Sequence, residues 1–325
     1  MIDILLAAYN GAEYIGEQIE SILDQELTVD MKLKDIRLII RDDGSSDNTL
    51  ELIRKYKEKQ EASDGIQIIL AEDNEPTGRP AANFQKLLAM SDADYVMFSD
   101  QDDIWNSRKV ILTYAFMKKK EEELGDKDTP VLVHTDLRVI NETGEKISDS
   151  FYEMQKLPED DSLNHLLIQN TVTGCTMMLN KCAANMLKQA PASEMVLQHD
   201  QYAAVMTAAT GHVYLLPMPL ISYRQHGDNA VGAMVAGSSE DIKRRTASGK
   251  SKFRDDMELS YKQAEYILNR YRGAIAAAGG DERLAMMEDY AALSEVSPAV
   301  RRKVYKKYGI YKSGGVKKIV QKLWC

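Results

Sequence analysis

The chain has 325 residues, of which 44% are hydrophobic and 28% charged, and its net charge is −9. These proportions describe an ordinary globular protein with room for a full α/β domain plus a further segment, and they exclude a disordered or fibrous chain. The three cysteines, Cys175, Cys182 and Cys325, are too scattered for a disulfide framework or a zinc site and fit a reducing cytosol.

Charge is unevenly spread. Residues 299–325 carry nine Lys/Arg and no acid, so the first 298 residues carry −18. An acidic body argues against a nucleic-acid binder, and the basic tail suggests an anionic partner near the C-terminus. No segment approaches the roughly 18 apolar residues that would span a bilayer. The opening "MIDILLAAYN" lacks a basic start and reads as a buried strand, not as a signal peptide.

In chain order, "IDILLAA" (2–8) predicts a strand, and "EYIGEQIESILDQ" (13–25) an amphipathic helix with Ile15, Ile19, Ile22 and Leu23 on one face. "DIRLIIR" (35–41) is a second strand, followed by a turn, a Ser/Asp cap and a helix through Leu50, Ile53 and Tyr56. "IQIILA" (66–71) and "DYVMFS" (94–99) are strands on either side of the helix "ANFQKLLAM" (82–90). Near-continuous apolar strands alternating with helices indicate a mostly parallel sheet covered by helices on both faces. Beyond it, "SRKVILTYAFMKKKEEEL" is a helix and "PVLVHTDLRVI" a strand, and the turn "NETG" lets the next strand return antiparallel. "VTGCTMML" and "VYLLPMPLISYRQ" predict strands, and "NKCAANMLKQ" and "QHDQYAAVMTAAT" helices. From about 239 every signal is helical, so "VAGSSE" (235–240) is the expected seam between a catalytic domain (1–235) and a helical C-terminal region (236–325).

Ligands of open parallel sheets sit beyond the carboxyl ends of the strands. Those ends read "AAYNG", "RDDGSSDNT" and "SDQDD". In "SDQDD", side chains two apart on an extended segment point the same way, so Asp100 and Asp102 can face one ion while Gln101 turns aside. Two hard carboxylates suit Mg²⁺ or Mn²⁺ with phosphate oxygens as further ligands, and a solvated acidic loop is the alternative. In "RDDGSSDNT", Gly44 and the serines make a tight turn that can favour anions. Asp42 or Asp43 offers an acceptor to a base N–H or a ribose hydroxyl, and Ser45, Ser46 and Asp47 can also simply cap the next helix.

These three motifs, in this order and spacing, resemble a family 2 glycosyltransferase, and the likeness continues through "ANFQKLL", "HTDLRV", "TVTGCTMML", "QHDQYAAVMTAATG" and "YRQHGDNAVG", over about residues 1–235. The extended set is most similar to the bacterial branch often called rhamnosyltransferases, which build cell-surface polysaccharides. The resemblance implies the nucleotide-diphospho-sugar transferase (GT-A-type) fold. It places Ala8 and Tyr9 beside the nucleobase, Asp43 or Asp42 on the base, Asp100 at the ribose or near the metal, and Asp102 on the metal bridging the diphosphate. It makes Asp200 the general base and puts His226 on the metal or diphosphate, with Arg224 beside it on the donor.

The chemistry stands on its own terms as well. A departing diphosphate is neutralised by a divalent ion, the anomeric carbon becomes oxocarbenium-like, and a carboxylate opposite the leaving group takes the acceptor proton, giving inversion. Three further residues have two readings each. His199 either positions the acceptor or caps a helix. His134, in "HTDLRV", either lines the acceptor pocket or caps a strand. Trp105 either stacks on a sugar or packs against the next helix. "VRRKVYKKYGIYKSGGVKKIVQKLW" fits a basic amphipathic helix lying on an anionic membrane, which implies a cytoplasmic enzyme peripheral at the inner face, or else a helix packed on protein, and the helices before it could support a homodimer.

The expected donor is therefore a nucleotide sugar on dTDP or UDP, with dTDP-L-rhamnose among the candidates, and the expected acceptor a saccharide or lipid-linked hydroxyl. Alternatives are a non-catalytic sugar-nucleotide-binding or assembly protein on the same fold, or a sugar-phosphate nucleotidyltransferase. The latter wants a basic Gly-rich loop after the first strand, and "AAYNGAEYIGEQ" has no basic residue.

Overall fold

The computed structural model describes the chain except for residues 27–34, 62, 64, 74, 192–194, 228–238, 315–320 and 322–325, and the side chains of 239–250 and 295. It divides into two compact units: residues 1–151, 173–190 and 215–232 form the first, and 152–172, 191–214 and 233–325 the second. The chain thus crosses between units several times, and the segment bearing Asp200 groups with the C-terminal helices.

The first unit is built on apolar strands buried on both faces. β1 (Ile2–Ala8) lies between β2 (Ile36–Asp42) and β4 (Tyr95–Ser99), β3 (Gln67–Leu70) flanks β2, and all of these pairings are parallel. Ile4, Leu5 and Leu6 have no exposed surface, which is why the run reads as continuously apolar. β1 pairs in register as Ala8↔Asp42 and Leu6↔Ser99, so the carboxyl ends of β1, β2 and β4 open on the same edge.

Helices α1 (Ile15–Leu23), α2 (Thr49–Glu61), α3 (Pro80–Met90) and α4 (Lys109–Leu124) link these strands and the next part of the sheet. On α1 the buried face is Ile15, Gln18, Ile19 and Ile22; the buried amide of Gln18 was not expected. The sheet then turns antiparallel, through β8 (Met178–Asn180) against β4, and β6 (Val131–Asn141) against β8. The order is β3-β2-β1-β4-β8-β6-β9-β5, where β9 is His212–Gln225 and β5 is Ile104–Trp105. β7 (Lys146–Ser148) returns antiparallel on β6 after the Asn141–Gly144 turn, as the sequence predicts.

Of "VTGCTMML" only Met178 and Leu179 are strand, because a 3-10 turn occupies Gly174–Thr176. α7 (Lys181–Leu187) follows β8, capped by the Asn180 side chain accepting from the Ala183 N–H. α5 (Phe151–Gln155) is a short helix at the chain's first passage to the second unit.

The second unit contains α6 (Leu163–Leu166), α8 (His199–Thr210), α9 (Ser239–Ala291) and α10 (Pro298–Tyr308). α8 packs on α9 through a nearly all-buried surface that includes Tyr202, Ala203, Val205 and Met206. α9 is helical over 53 residues yet reverses direction. Ser260 and Tyr290 are 30 positions apart, which in a straight helix is about 45 Å, and their hydroxyls lie 3.0 Å apart. The reversal falls at Gly279–Gly280, where Gly280 adopts φ +62, a left-handed conformation that costs a side-chain-bearing residue more. The helical signal expected from about 239 is therefore present, folded into two antiparallel arms.

α10 carries the start of the basic tail. Tyr305 and Ile310 are buried in the second unit, Arg301 pairs with Glu258 at 2.7 Å and Lys307 with Asp289 at 2.8 Å. This part of the tail packs on protein; Val316, Ile319, Val320, Leu323 and Trp324 lie outside the described residues. No described helix is long and apolar enough to cross a membrane.

Candidate active site

Three loops converge at the carboxyl ends of β1, β2 and β4. The Asn10 N–H donates to Ser45 Oγ at 2.8 Å, the Ser46 N–H to Asn10 Oδ1 at 2.8 Å, and the Ala12 N–H to Asp47 Oδ2 at 3.0 Å. On the other side, Gln101 forms a reciprocal pair with the Tyr9 backbone. Its Oε1 accepts from the Tyr9 N–H at 2.7 Å and its Nε2 donates to the Tyr9 carbonyl at 2.9 Å. Gln101 does turn aside from its acidic neighbours, and in doing so it ties the first loop to the third. Gly11 makes this possible, since a Cβ there would stand 2.3 Å from Gln101 Cδ.

The close-packed carboxylates have separate environments. Asp102 Oδ2 lies 2.9 Å from His226 Nε2, and both side chains are mostly buried. Asp103 is fully buried; burial, then Asp102 and Asp100, push its carboxyl well above the usual range, and its Oδ1 accepts the Arg224 N–H at 3.1 Å. Asp100, half-buried, has its carboxylate within 4.8 Å of the Asp103 carboxylate and the Cys175 thiol.

Among the described residues, the group of possible ligand atoms that includes Asp100 contains Asp103 and Cys175 in place of Asp102 and His226. Gln101 and Asp102 form a bend beyond the end of β4. The structure brings Asp102 together with His226, and Asp100 together with Asp103 and Cys175.

Ala8 is buried at the end of β1, and Tyr9 is 56% exposed beside the loops. Asp42 accepts from the Gly44 N–H at 3.2 Å and the Ser45 N–H at 2.9 Å, which shapes the tight turn. Asp43 accepts from Arg41 at 2.7 Å, from the Thr77 N–H at 2.8 Å, from Thr77 Oγ1 at 2.9 Å and from the Gly78 N–H at 3.1 Å. Burial alone would raise this carboxyl, and the bonds from Thr77, Arg41 and Gly78 overcome it and hold it below 3.8. Asp42 thus accepts bonds from its own loop, and Asp43 anchors the "EPTGRP" segment through Thr77 and Gly78.

Arg224 is 3% exposed, and its guanidinium donates to the Asp102 carbonyl, the Glu142 carbonyl and Glu17. Trp105 is 3% exposed, with the Lys109 ammonium 4.2 Å from its ring centre, so it packs inside the unit as the plainer of its two readings requires. His134 is fully buried within β6 instead of ending a strand, which removes it from any acceptor surface.

In the second unit, His199 and Asp200 open α8. The Gln201 N–H donates to Asp200 Oδ1 at 2.6 Å, and burial lowers the His199 imidazole to about 4, so that it is neutral at physiological pH. Lys109 went unnoticed in the sequence, where it looks like one more surface lysine. Its Nζ is fully buried with no hydrogen-bond acceptor, and burial draws it down to about 7.

Residues 3–131 match the family model for glycosyl transferase family 2. A poly(ribitol-phosphate) beta-glucosyltransferase of Bacillus spizizenii is 27% identical over 38% of this chain and 18% of its own length. A dTDP-rhamnosyl transferase, RfbG, of Shigella flexneri is 38% identical over 32% of this chain and 34% of its own. The chain therefore spans about a third or less of the length of these two relatives. The crystal structure of S. aureus TarS 1-349 in complex with UDP-GlcNAc superposes with a TM-score of 0.55 at 17% identity, over 90% of this chain and 71% of that one, which shows the shared fold. The strand-end loops and the Asp102 bend lie inside the matched span, and the chain accordingly carries, over residues 3–131, a glycosyltransferase domain of family 2.

Proposed function

We propose that this protein transfers a glycosyl group from a nucleoside diphosphate sugar to a hydroxyl of a cell-surface polysaccharide or its lipid-linked precursor, with a divalent cation and with inversion at the anomeric carbon. The observation that carries this reading is the Asp102–His226 pair, a carboxylate oxygen and an imidazole nitrogen 2.9 Å apart at the sugar-nucleotide edge of the sheet.

Adjacent ligands of one ion stand about 3 Å apart, so the pair can hold Mn²⁺ or Mg²⁺ once its hydrogen bond opens and the imidazole nitrogen presents its lone pair. Carboxylate and imidazole together suit Mn²⁺ well. When bound there, the cation would neutralise the diphosphate as it departs. Asp102 and His226 hold it. Tyr9, exposed beside them, offers its ring to the base, while Asp42 and Asp43 shape the base-side loops. Asp200, at the start of α8, takes the acceptor proton late in the transition state, when the attacking oxygen has become acidic enough for a carboxylate. The names of the two relatives support a glucosyl or dTDP-rhamnosyl donor and, from the first, an acceptor of the poly(ribitol-phosphate) kind.

The test supplies purified protein with Mn²⁺ and a panel of UDP- and dTDP-sugars and measures released nucleoside diphosphate in the presence of acceptor lipid or glycan. Asp102→Ala is expected to abolish turnover. Asp200→Asn is expected to lower kcat by about 10²–10⁴ while the donor KM stays within a few-fold. Near-normal turnover by Asp200→Asn would remove it as the base. Arg302, Lys303 and Lys306 remain exposed on α10 and support peripheral docking on anionic headgroups. Reversing all three to Glu should reduce co-sedimentation with phosphatidylglycerol vesicles, and an unchanged bound fraction would end that part of the reading.

A further inference from the structure

Arg224 had two conceivable uses: to reach the donor, or to hold other residues. Its side chain is 4% exposed and its planar fork points at three elements of the first unit. The Nε–H donates to the Asp102 carbonyl at 3.0 Å, one terminal nitrogen to the Glu142 carbonyl at 2.9 Å and the other to Glu17 Oε2 at 2.5 Å. Its own backbone N–H is fixed by Asp103. Its guanidinium carbon also lies 4.9 Å from the centre of the Tyr14 ring, and that ring lies 4.9 Å from the His226 imidazole.

We infer that Arg224 is a positioning residue for the Asp102–His226 pair and is not a ligand of the donor. The guanidinium holds the Asp102 main chain directly. It holds His226 by two routes, through the end of β9 two residues earlier in the chain and through the Tyr14 ring that touches both. Only a rigid fork with donors in several directions can do this; an ammonium is a point donor on a flexible stem. A buried guanidinium that left these partners for a phosphate would also leave Glu17 and two carbonyls with lost bonds, so binding a donor this way works against the fold. Partners in the shell behind metal ligands orient them, and removing one typically weakens metal affinity by about 10–100-fold.

The inference rests on the assignment of a cation to Asp102 and His226. The test therefore measures Mn²⁺ binding to the full chain by electron paramagnetic resonance of free Mn²⁺, with no nucleotide present. Arg224→Met should weaken Mn²⁺ binding about 10–100-fold. Arg224→Lys and Glu17→Gln, which disturb the clamp less and are expected to fold, should each weaken it by at least about threefold. If Arg224→Met does not fold, the other two variants decide. Mn²⁺ affinity within about twofold of wild type in folded Arg224→Lys and Glu17→Gln overturns the proposal. So does a loss confined to UDP affinity at saturating Mn²⁺, which is the signature of a donor ligand. Asp102→Asn separates the two layers. If it abolishes Mn²⁺ binding while the Arg224 variants bind normally, only the positioning role fails; if it too binds normally, the cation assignment fails with it.

Discussion

Substituting Gly11 with alanine tests how the first and third strand-end loops are joined. The new methyl carbon would stand 2.3 Å from Gln101 Cδ and 2.3 Å from its Oε1, far inside contact distance. The Gln101 side chain is the mobile party, so it swings away and its two bonds to the Tyr9 backbone, at 2.7 and 2.9 Å, are lost. A net hydrogen bond contributes about 0.5–1.5 kcal/mol, and these two are reached by water, so Gly11→Ala should destabilise the protein by about 1–2 kcal/mol. Gln101→Ala removes the same two bonds and should cost a similar amount. Once Gln101 is truncated, however, the methyl group at position 11 has nothing to displace. In that background Gly11→Ala should fall within about 0.5 kcal/mol of neutral, giving a coupling of about 1–2 kcal/mol between the sites. Urea denaturation of the four proteins of this cycle reads the result. If the double variant loses the sum of the two singles, the loops are not joined through this contact and the reasoning fails.

Two further predictions concern buried charge. Lys109, drawn down to about 7 by burial, is protonated near 10.5 in the unfolded chain. Below pH 7 the folded protein bears the full penalty, and between 7 and 10.5 its stability rises with pH. Lys109→Met should therefore be more stable than wild type by on the order of a few kcal/mol at pH 6–7, with the gap closing as pH approaches 10; a gap that stays constant over that range would refute it. Asp43→Asn removes the nearer carboxylate of the buried Arg41 guanidinium, leaving Asp73 at 3.5 Å, and should cost about 1–3 kcal/mol at pH 7. Because the Asp43 carboxyl is held below 3.8, its contribution is complete above that pH and is lost as pH falls through the depressed value, so the difference between variant and wild type should shrink on acidification. Denaturation midpoints at pH 7 and pH 3 check the sign, and a widening difference at pH 3 would count against the assignment.

The parallel half of the sheet was legible because buried strands leave continuous apolar runs, and the polar clusters at their ends mark where the chain turns. "AAYNG", "DDGSSDNT" and "SDQDD" could be assigned to one edge on strand order alone. The pairing of Asp102 with His226 spans 124 positions and came from the family resemblance, since no local pattern carries it. What remained hidden was which side chains each polar group would meet. Arg224 lies in β9 and Asp102 in the bend after β4, so nothing near "YRQHG" says that the guanidinium turns inward. His134 sits in a segment whose polar look suggested an edge, yet β6 continues to Asn141 and encloses it. The grouping of Asp100 with the buried Asp103 and Cys175 could not be read from local spacing, because Cys175 lies far along the chain. The sequence marks the chain as helical from about 239, and the reversal of α9 at its paired glycines emerges only from the structure.

The interleaving of the two units bears on how the chain can be cut or recombined. A fragment ending near residue 232 would keep every strand but would strand 152–172 and 191–214, which group with the later helices. α8 would then present Tyr202, Val205 and Met206 to water, and about 1.5–3 kcal/mol per large side chain would be withdrawn from the segment that bears Asp200. The carboxy-terminal helices thus serve as scaffolding for that segment, and exchanging them between homologues would demand exchange of both inserts as well.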